Sequence, residues 1–133
     1  MNDVPRYSST KGGKARNVLC VLAGVAVLVL KKHYTGPGEQ LVMDYGGNTA
    51  VSFALYFLFL RLPIQGVFGK QFAAVVALAV VELFEATDGF GLMTNTYDPI
   101  DFVANAAGVA LALTADCIWH ATVLHRKTPD QPG

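Results

Sequence analysis

Four apolar blocks, Val18 to Leu30, Thr49 to Leu62, Phe72 to Phe84 and Ile100 to Leu124, constrain this chain more than any other feature. A helix of a water-soluble bundle shows a polar stripe at helical period, yet Val18 to Leu30 and Phe72 to Val81 are apolar on every side. Only 15% of the residues are charged while 53% are hydrophobic, against roughly a quarter charged in an ordinary soluble domain. A bilayer core asks for about 20 helical residues, and the blocks reach that length through their flanks. Arg16, Lys31 and Lys32 can snorkel from the first block, Arg61 from the second and Lys70 from the third. The expected fold is all-α: a polytopic membrane protein, a four-helix transmembrane bundle, with spans over approximately 17–32, 48–65, 70–87 and 100–122. The tails over 1–16 and 125–133 read as mobile, solvated and cytoplasmic. The first block resembles a secretory signal in its basic lead, but Lys31, Lys32, His33 and Tyr34 stand where a small-residue cleavage site belongs, so an uncleaved span is expected.

Net charge is zero, ten bases against ten acids, and recruits no nucleic acid. The distribution is informative where the sum is not. Arg6, Lys11, Lys14, Arg16, Arg61, Lys70, Arg126 and Lys127 fall on one side of the four-span arrangement, and Lys31 and Lys32 on the other. Cytoplasmic loops carry the excess of Lys and Arg, so both termini are expected inside, in a bacterial cytoplasmic (inner) membrane. Glu39, Asp44, Glu82, Glu85, Asp88, Asp98 and Asp101 then lie in outer loops or at outer helix ends. Cys20 and Cys117 sit inside apolar runs and offer neither a disulfide framework nor a CxxC metal site.

Glu82, Glu85, Asp88, Asp98, Asp101 and Asn105 form the candidate polar cluster. Glu82 and Glu85 share a helix face at a spacing of three, Asp101 and Asn105 at a spacing of four, and the outer turn Thr87 to Pro99 brings the faces together. Three readings compete. Hard cations take several carboxylate and carbonyl oxygens, so a divalent cation is one, although no fixed-spacing metal motif is present. Acid/base work by crowded carboxyls is the second. Helix capping is the third: Asp98 as N-cap, Pro99 at the first helical position, Asp101 three residues after the cap. Capping leaves Glu82, Glu85 and Asn105 unexplained, and these need partners inside a bundle.

On the fourth helix Asp101, Asn105, Gly108, Ala112, Asp116 and Trp119 fall within one face. Gly108, Ala112 and Ala115 read as a packing seam that lets a neighbouring helix approach. Asp116 lies near the cytoplasmic end, at the level where Arg61 ends the second span, and an Arg61 to Asp116 ion pair is expected. Gly46-Gly47-Asn48 reads as a site of unusual backbone before the second span. Tyr56, with Phe53, Phe57 and Phe59, reads as packing or lipid-facing bulk, and Trp119 and Tyr34 as interfacial aromatics.

Glu82-Leu-Phe-Glu85, followed by Asp98-Pro-Ile-Asp101-Phe-Val-Ala-Asn105-Ala-Ala-Gly108, resembles VanZ-like membrane proteins, which carry a Glu late in the third helix and D-x-x-D-x-x-x-N-x-x-G opening the fourth. Asp44 matches an acid that family places before its second span. Where the family often has Gln and an outer base, this chain has Glu85 and Thr94, Asn95 and Thr96, which leaves its acids less compensated and favours a cation or proton among them. The resemblance implies a small envelope protein of about four spans, in a family named for association with glycopeptide-antibiotic resistance. Acids without a nucleophile or activating base point to a non-catalytic protein whose outward cluster binds a partner, lipid head group or ion. The alternatives are a metal-assisted membrane enzyme acting on an envelope lipid or polymer, and a small transporter or proton relay from Asp101 through Asn105 to Asp116. Expected partners are membrane lipids and an envelope protein or second copy. No cofactor is expected beyond the divalent cation already weighed.

Overall fold

The computed structural model describes residues 11–60, 69–87 and 98–126. Four helices succeed one another, α1 (Lys11–Leu30), α2 (Glu39–Phe59), α3 (Gly69–Ala86) and α4 (Pro99–Arg126), with a 3-10 turn at Lys31–His33. No strand occurs among the described residues. Two stretches, Gly13–His33 of 21 residues and Pro99–Val123 of 25, are long and apolar enough to cross a membrane.

Helix starts follow local chemistry. Asp98 accepts the Ile100 N–H at 2.9 Å and so satisfies one of the orphan donors of α4. Pro99 follows at the first helical position, where its missing N–H costs nothing. Gly38 precedes α2 with φ of 73°, a left-handed conformation that a residue with a Cβ adopts only at a cost.

Helices α1, α2 and α4 are longer than the expected spans, and α3 matches its own in length. α1 begins at Lys11, so residues 11–16 of the expected tail are helical, and α2 begins at Glu39, so the first connection shrinks to the turn around Thr35 to Gly38. Gly46-Gly47-Asn48 is ordinary helix, contrary to the unusual backbone expected there: among the described glycines only Gly38 and Gly69 have positive φ. The absence of a side chain at Gly47 serves packing instead, because a Cβ there would stand 2.9 Å from the Lys31 ammonium nitrogen. Pro63 lies outside the described residues.

Helix α2 is the hub: it packs against each of the other three, and α3 also packs against α4, whereas the backbones of α1 and α3 do not approach each other among the described residues. The core joins Tyr56, Phe57 and Leu60 of α2 to Ala73 and Ala77 of α3 and Val109 and Ala112 of α4. Small residues set the spacing. At Gly108 a Cβ would overlap the Ser52 hydroxyl and the Thr49 carbonyl, so α4 lies directly on α2. At Gly24 it would come within 2.8 Å of the Ala54 Cβ and 2.9 Å of the Ala50 carbonyl oxygen, which brings α1 equally close on the other side. Ala112 of the expected seam is buried, and Ala115 is exposed, one position round the helix from it.

Gly108→Ala should therefore destabilise the protein by about 1–3 kcal/mol, the usual cost of overpacking, while Ala115→Leu at an exposed site should stay within about 0.5 kcal/mol. Denaturant unfolding of the detergent-solubilised protein measures both, and equal effects at the two positions would refute the close crossing.

Candidate functional site

The polar residues of this bundle collect at its two ends along a shared stripe. On α2, Tyr45, Asn48, Thr49, Ser52 and Tyr56 recur at helical spacing, and each meets α4 at a matching level. Tyr45 Oη donates to Asp98 Oδ2 at 3.1 Å, Asn48 Nδ2 to Asp101 Oδ1 at 2.7 Å, Thr49 Oγ1 to the Ala104 carbonyl at 3.2 Å, and Tyr56 Oη to Asp116 Oδ2 at 2.7 Å. The pairing rises in step along both helices, so α2 and α4 run parallel. Ser52 Oγ turns inward to the Asn48 carbonyl at 2.7 Å, which leaves its level dry and closed by Gly108.

At the end formed by the start of α1 and the later part of α4, Asp116 is 1% exposed and Arg16 is 9% exposed. Arg16 Nη1 donates to Asp116 Oδ1 at 2.7 Å, across 100 positions of sequence. Its Nε donates to Asn17 Oδ1 at 3.0 Å and its Nη2 to the same oxygen at 2.5 Å. The guanidinium carbon stands 5.5 Å from the centre of the Phe57 ring and 5.7 Å from that of Trp119. Lys70 Nζ lies 4.0 Å from Asp116 Oδ2 and His120 Nε2 lies 3.4 Å from Oδ1. One carboxylate thus gathers groups from all four helices. Arg16, expected to snorkel out of the first span, is instead turned inward by this partner. The expected Arg61 partner lies outside the described residues.

The opposite end holds the candidate binding site. A cavity of about 290 Å³ is lined by Lys31 of the 3-10 turn, Asp44 and Asn48 of α2, Glu85 of α3, and Asp101 and Asn105 of α4. Its apolar wall comes from Leu28, Val51, Val81 and Phe84. Lys31 Nζ donates to the Met43 carbonyl at 2.9 Å, and Gln40 Nε2 donates to Asp44 at 2.9 Å. Below the cavity the Asn105 amide hydrogen-bonds to the Glu82 carboxyl, whose Oε2 is shut off from solvent with no hydrogen-bond partner.

Of the expected cluster, Glu85, Asp101 and Asn105 line one cavity, Glu82 lies behind Asn105, and Asp98 is engaged as a cap and by Tyr45. Asp88 lies outside the described residues. Among those residues no three His, Cys, Asp or Glu side chains converge closely enough to hold a metal ion. Sequence reasoning missed Lys31, Asn48, Tyr45 and Tyr56. The signal for the last three was present, since hydrogen-bonding side chains recur every three or four residues along an otherwise apolar α2. Lys31 gives no such signal, because a lysine at the end of an apolar run reads as a flank. Comparison with known proteins finds no matching family model, no matching curated protein and no matching solved structure.

Removing one member of a buried ion pair strands the other, at about 3–5 kcal/mol. Asp116→Asn and Arg16→Ala should each lower stability by that order, and Tyr56→Phe by about 1.5–3 kcal/mol, a hydrogen bond to a charged group. Arg16→Met with Asp116→Leu should recover most of the loss, because no charge is left buried. Thermal unfolding of these proteins and of the Arg16→Met and Asp116→Leu single variants checks this, and a loss in the double variant equal to the sum of those two single losses would disprove the coupling.

Proposed function

We propose that this chain is an integral protein of the bacterial cytoplasmic membrane, a four-span bundle with both termini inside, whose outward polar cavity binds an ion or lipid head group without catalysing a reaction. One observation carries the reading: charged and polar side chains are buried in the bundle while large apolar ones cover its surface. The buried set includes Arg16, Asn17, Ser52, Asn105 and Asp116, while Leu19 is 65% exposed, Val75 66% and Val103 66%. Such extended apolar surface is a liability in water. Lipid accepts it, and makes an internal hydrogen-bond partner obligatory for each buried polar group.

Orientation follows from charge. Lys14, Arg16, Lys70 and Arg126 stand at the end that holds Asp116, which the positive-inside bias places in the cytoplasm. The cavity then opens on the outer side. The motif shared with VanZ-like proteins, Asp98, Asp101, Asn105 and Gly108, supports the same location, with Asp101 and Asn105 on the cavity wall and Gly108 at the helix crossing.

Binding is favoured over the two other readings on specific grounds. A relay along α4 from Asn105 to Asp116 would have to pass Gly108, where Thr49 and Ser52 close against the helix, and Ala112, which is fully buried. A metal-assisted reaction would need converging ligands, and no three His, Cys, Asp or Glu side chains converge among the described residues.

Reporter fusions and alkaline carbonate extraction test the membrane reading. The protein should resist extraction, and reporters at both ends should read as cytoplasmic. An external C terminus, or release by carbonate, would overturn it.

A further inference from the structure

The cavity carries opposite charges on one apolar-backed surface, and this selects among ligands. Asp44, Glu85 and Asp101 contribute carboxylates from three different helices, while Lys31 contributes an ammonium group from a fourth element. Lys31 spends one N–H on the Met43 carbonyl, and an ammonium has three to give. A point cation such as a metal ion wants its oxygens converging at a single centre, whereas these acids are spread round a volume of about 290 Å³. Spread acceptors suit a group with several N–H donors pointing in different directions. The lysine opposite suits an anion joined to that group by a short stem.

The side of the cavity is informative as well. Leu28 belongs to α1, and Val81 and Phe84 belong to α3. The backbones of those two helices do not approach each other among the described residues, so the wall between them is a seam of side chains rather than packed backbone. Leu28 on α1 and Phe84 on α3, which line the cavity, are themselves exposed. A ligand with apolar chains attached could enter laterally along it, head group inward and chains on the exposed face.

We propose that the cavity binds an aminoethyl phosphate group, its ammonium held by Asp44, Glu85 and Asp101 and its phosphate by Lys31, with phosphatidylethanolamine as the membrane-borne source and free phosphoethanolamine as the soluble one. This rests on the membrane reading above for the position of the cavity at the outer surface. Phosphatidylcholine, whose trimethylated nitrogen has no N–H to donate, and phosphatidylglycerol, which has no ammonium, are the discriminating competitors.

The test uses the full chain purified in mild detergent, titrated with short-chain phosphatidylethanolamine, phosphatidylcholine, phosphatidylglycerol, free phosphoethanolamine or magnesium ion while the thermal midpoint is followed. Phosphatidylethanolamine should bind about tenfold more tightly than either competitor, the consequence of one charge-assisted interaction. Asp44→Asn and Lys31→Met should each erase that preference. Both sit toward the exposed rim and preserve side-chain bulk, so both proteins should still unfold cooperatively. Equal stabilisation by free phosphoethanolamine would support the site and make its source soluble. Equal affinity for the three lipids, a preference that survives both substitutions, or saturation by magnesium alone that Asp44→Asn abolishes would overturn the proposal. Resistance to carbonate without any lipid preference would refute the ligand alone, and extraction by carbonate would refute the membrane reading.

Discussion

The structure depends on one buried carboxylate. Asp116 cannot stand unpaired in an apolar interior, and its needs are met by Arg16 from α1, Tyr56 from α2, and the nearby Lys70 and His120 from α3 and α4. Each of these groups belongs to a different turn of the bundle, so satisfying one charge sets the relative position of all four helices at that end. Arg16 is itself held by Asn17 and by the faces of Phe57 and Trp119, and its partners therefore resist rotation of α1. Such a pair adds little net stability over apolar packing, but the cost of breaking it makes other arrangements of the helices unfavourable.

From that anchored end the parallel helices α2 and α4 diverge into two kinds of contact. Gly108 lets α4 lie against the Ser52 hydroxyl and the Thr49 carbonyl of α2, and beyond it the polar stripe continues through Thr49, Asn48 and Tyr45. At the cavity end Asp98 and Asp101 are met by the Tyr45 phenol and the Asn48 amide of α2. Asn48 and Asn105 each neutralise hydrogen-bonding demand without cancelling charge. Asp44, Glu85, Asp101 and Lys31 line the cavity at that end, whereas the Asp116 charge at the other end is met inside the bundle by Arg16. One end thus holds the candidate site and the other a structural clamp.

Much of the architecture was legible from residue order. All-round apolarity predicts helices, Asp98-Pro99 predicts where the fourth begins, and the small residues at Gly108 and Ala112 predict a close face. Helix lengths were less legible, since Gly46 and Gly47 read as breakers when taken alone. Both are ordinary helix, and at Gly47 the Lys31 side chain occupies the space that the missing side chain leaves. Arg16 and Tyr56 were misjudged for a related reason. An arginine at the edge of an apolar run and a tyrosine among phenylalanines look like interface and bulk until a carboxylate 100 and 60 positions away is placed beside them.

The order of residues by itself determined that the chain is helical, where its charges gather and that some acids needed partners, because periodicity and the cost of burying charge are local properties. Only the tertiary structure decided which partners they take. Asp116 accepts from Arg16 and Tyr56, Asp101 from Asn48, and Lys31 lines one cavity with Asp44, Glu85 and Asp101. Hydrogen-bond choice in a bundle depends on the rotation and depth of each helix, set here by the contacts that Gly24 and Gly108 permit and, at one end, by the partners that Asp116 gathers.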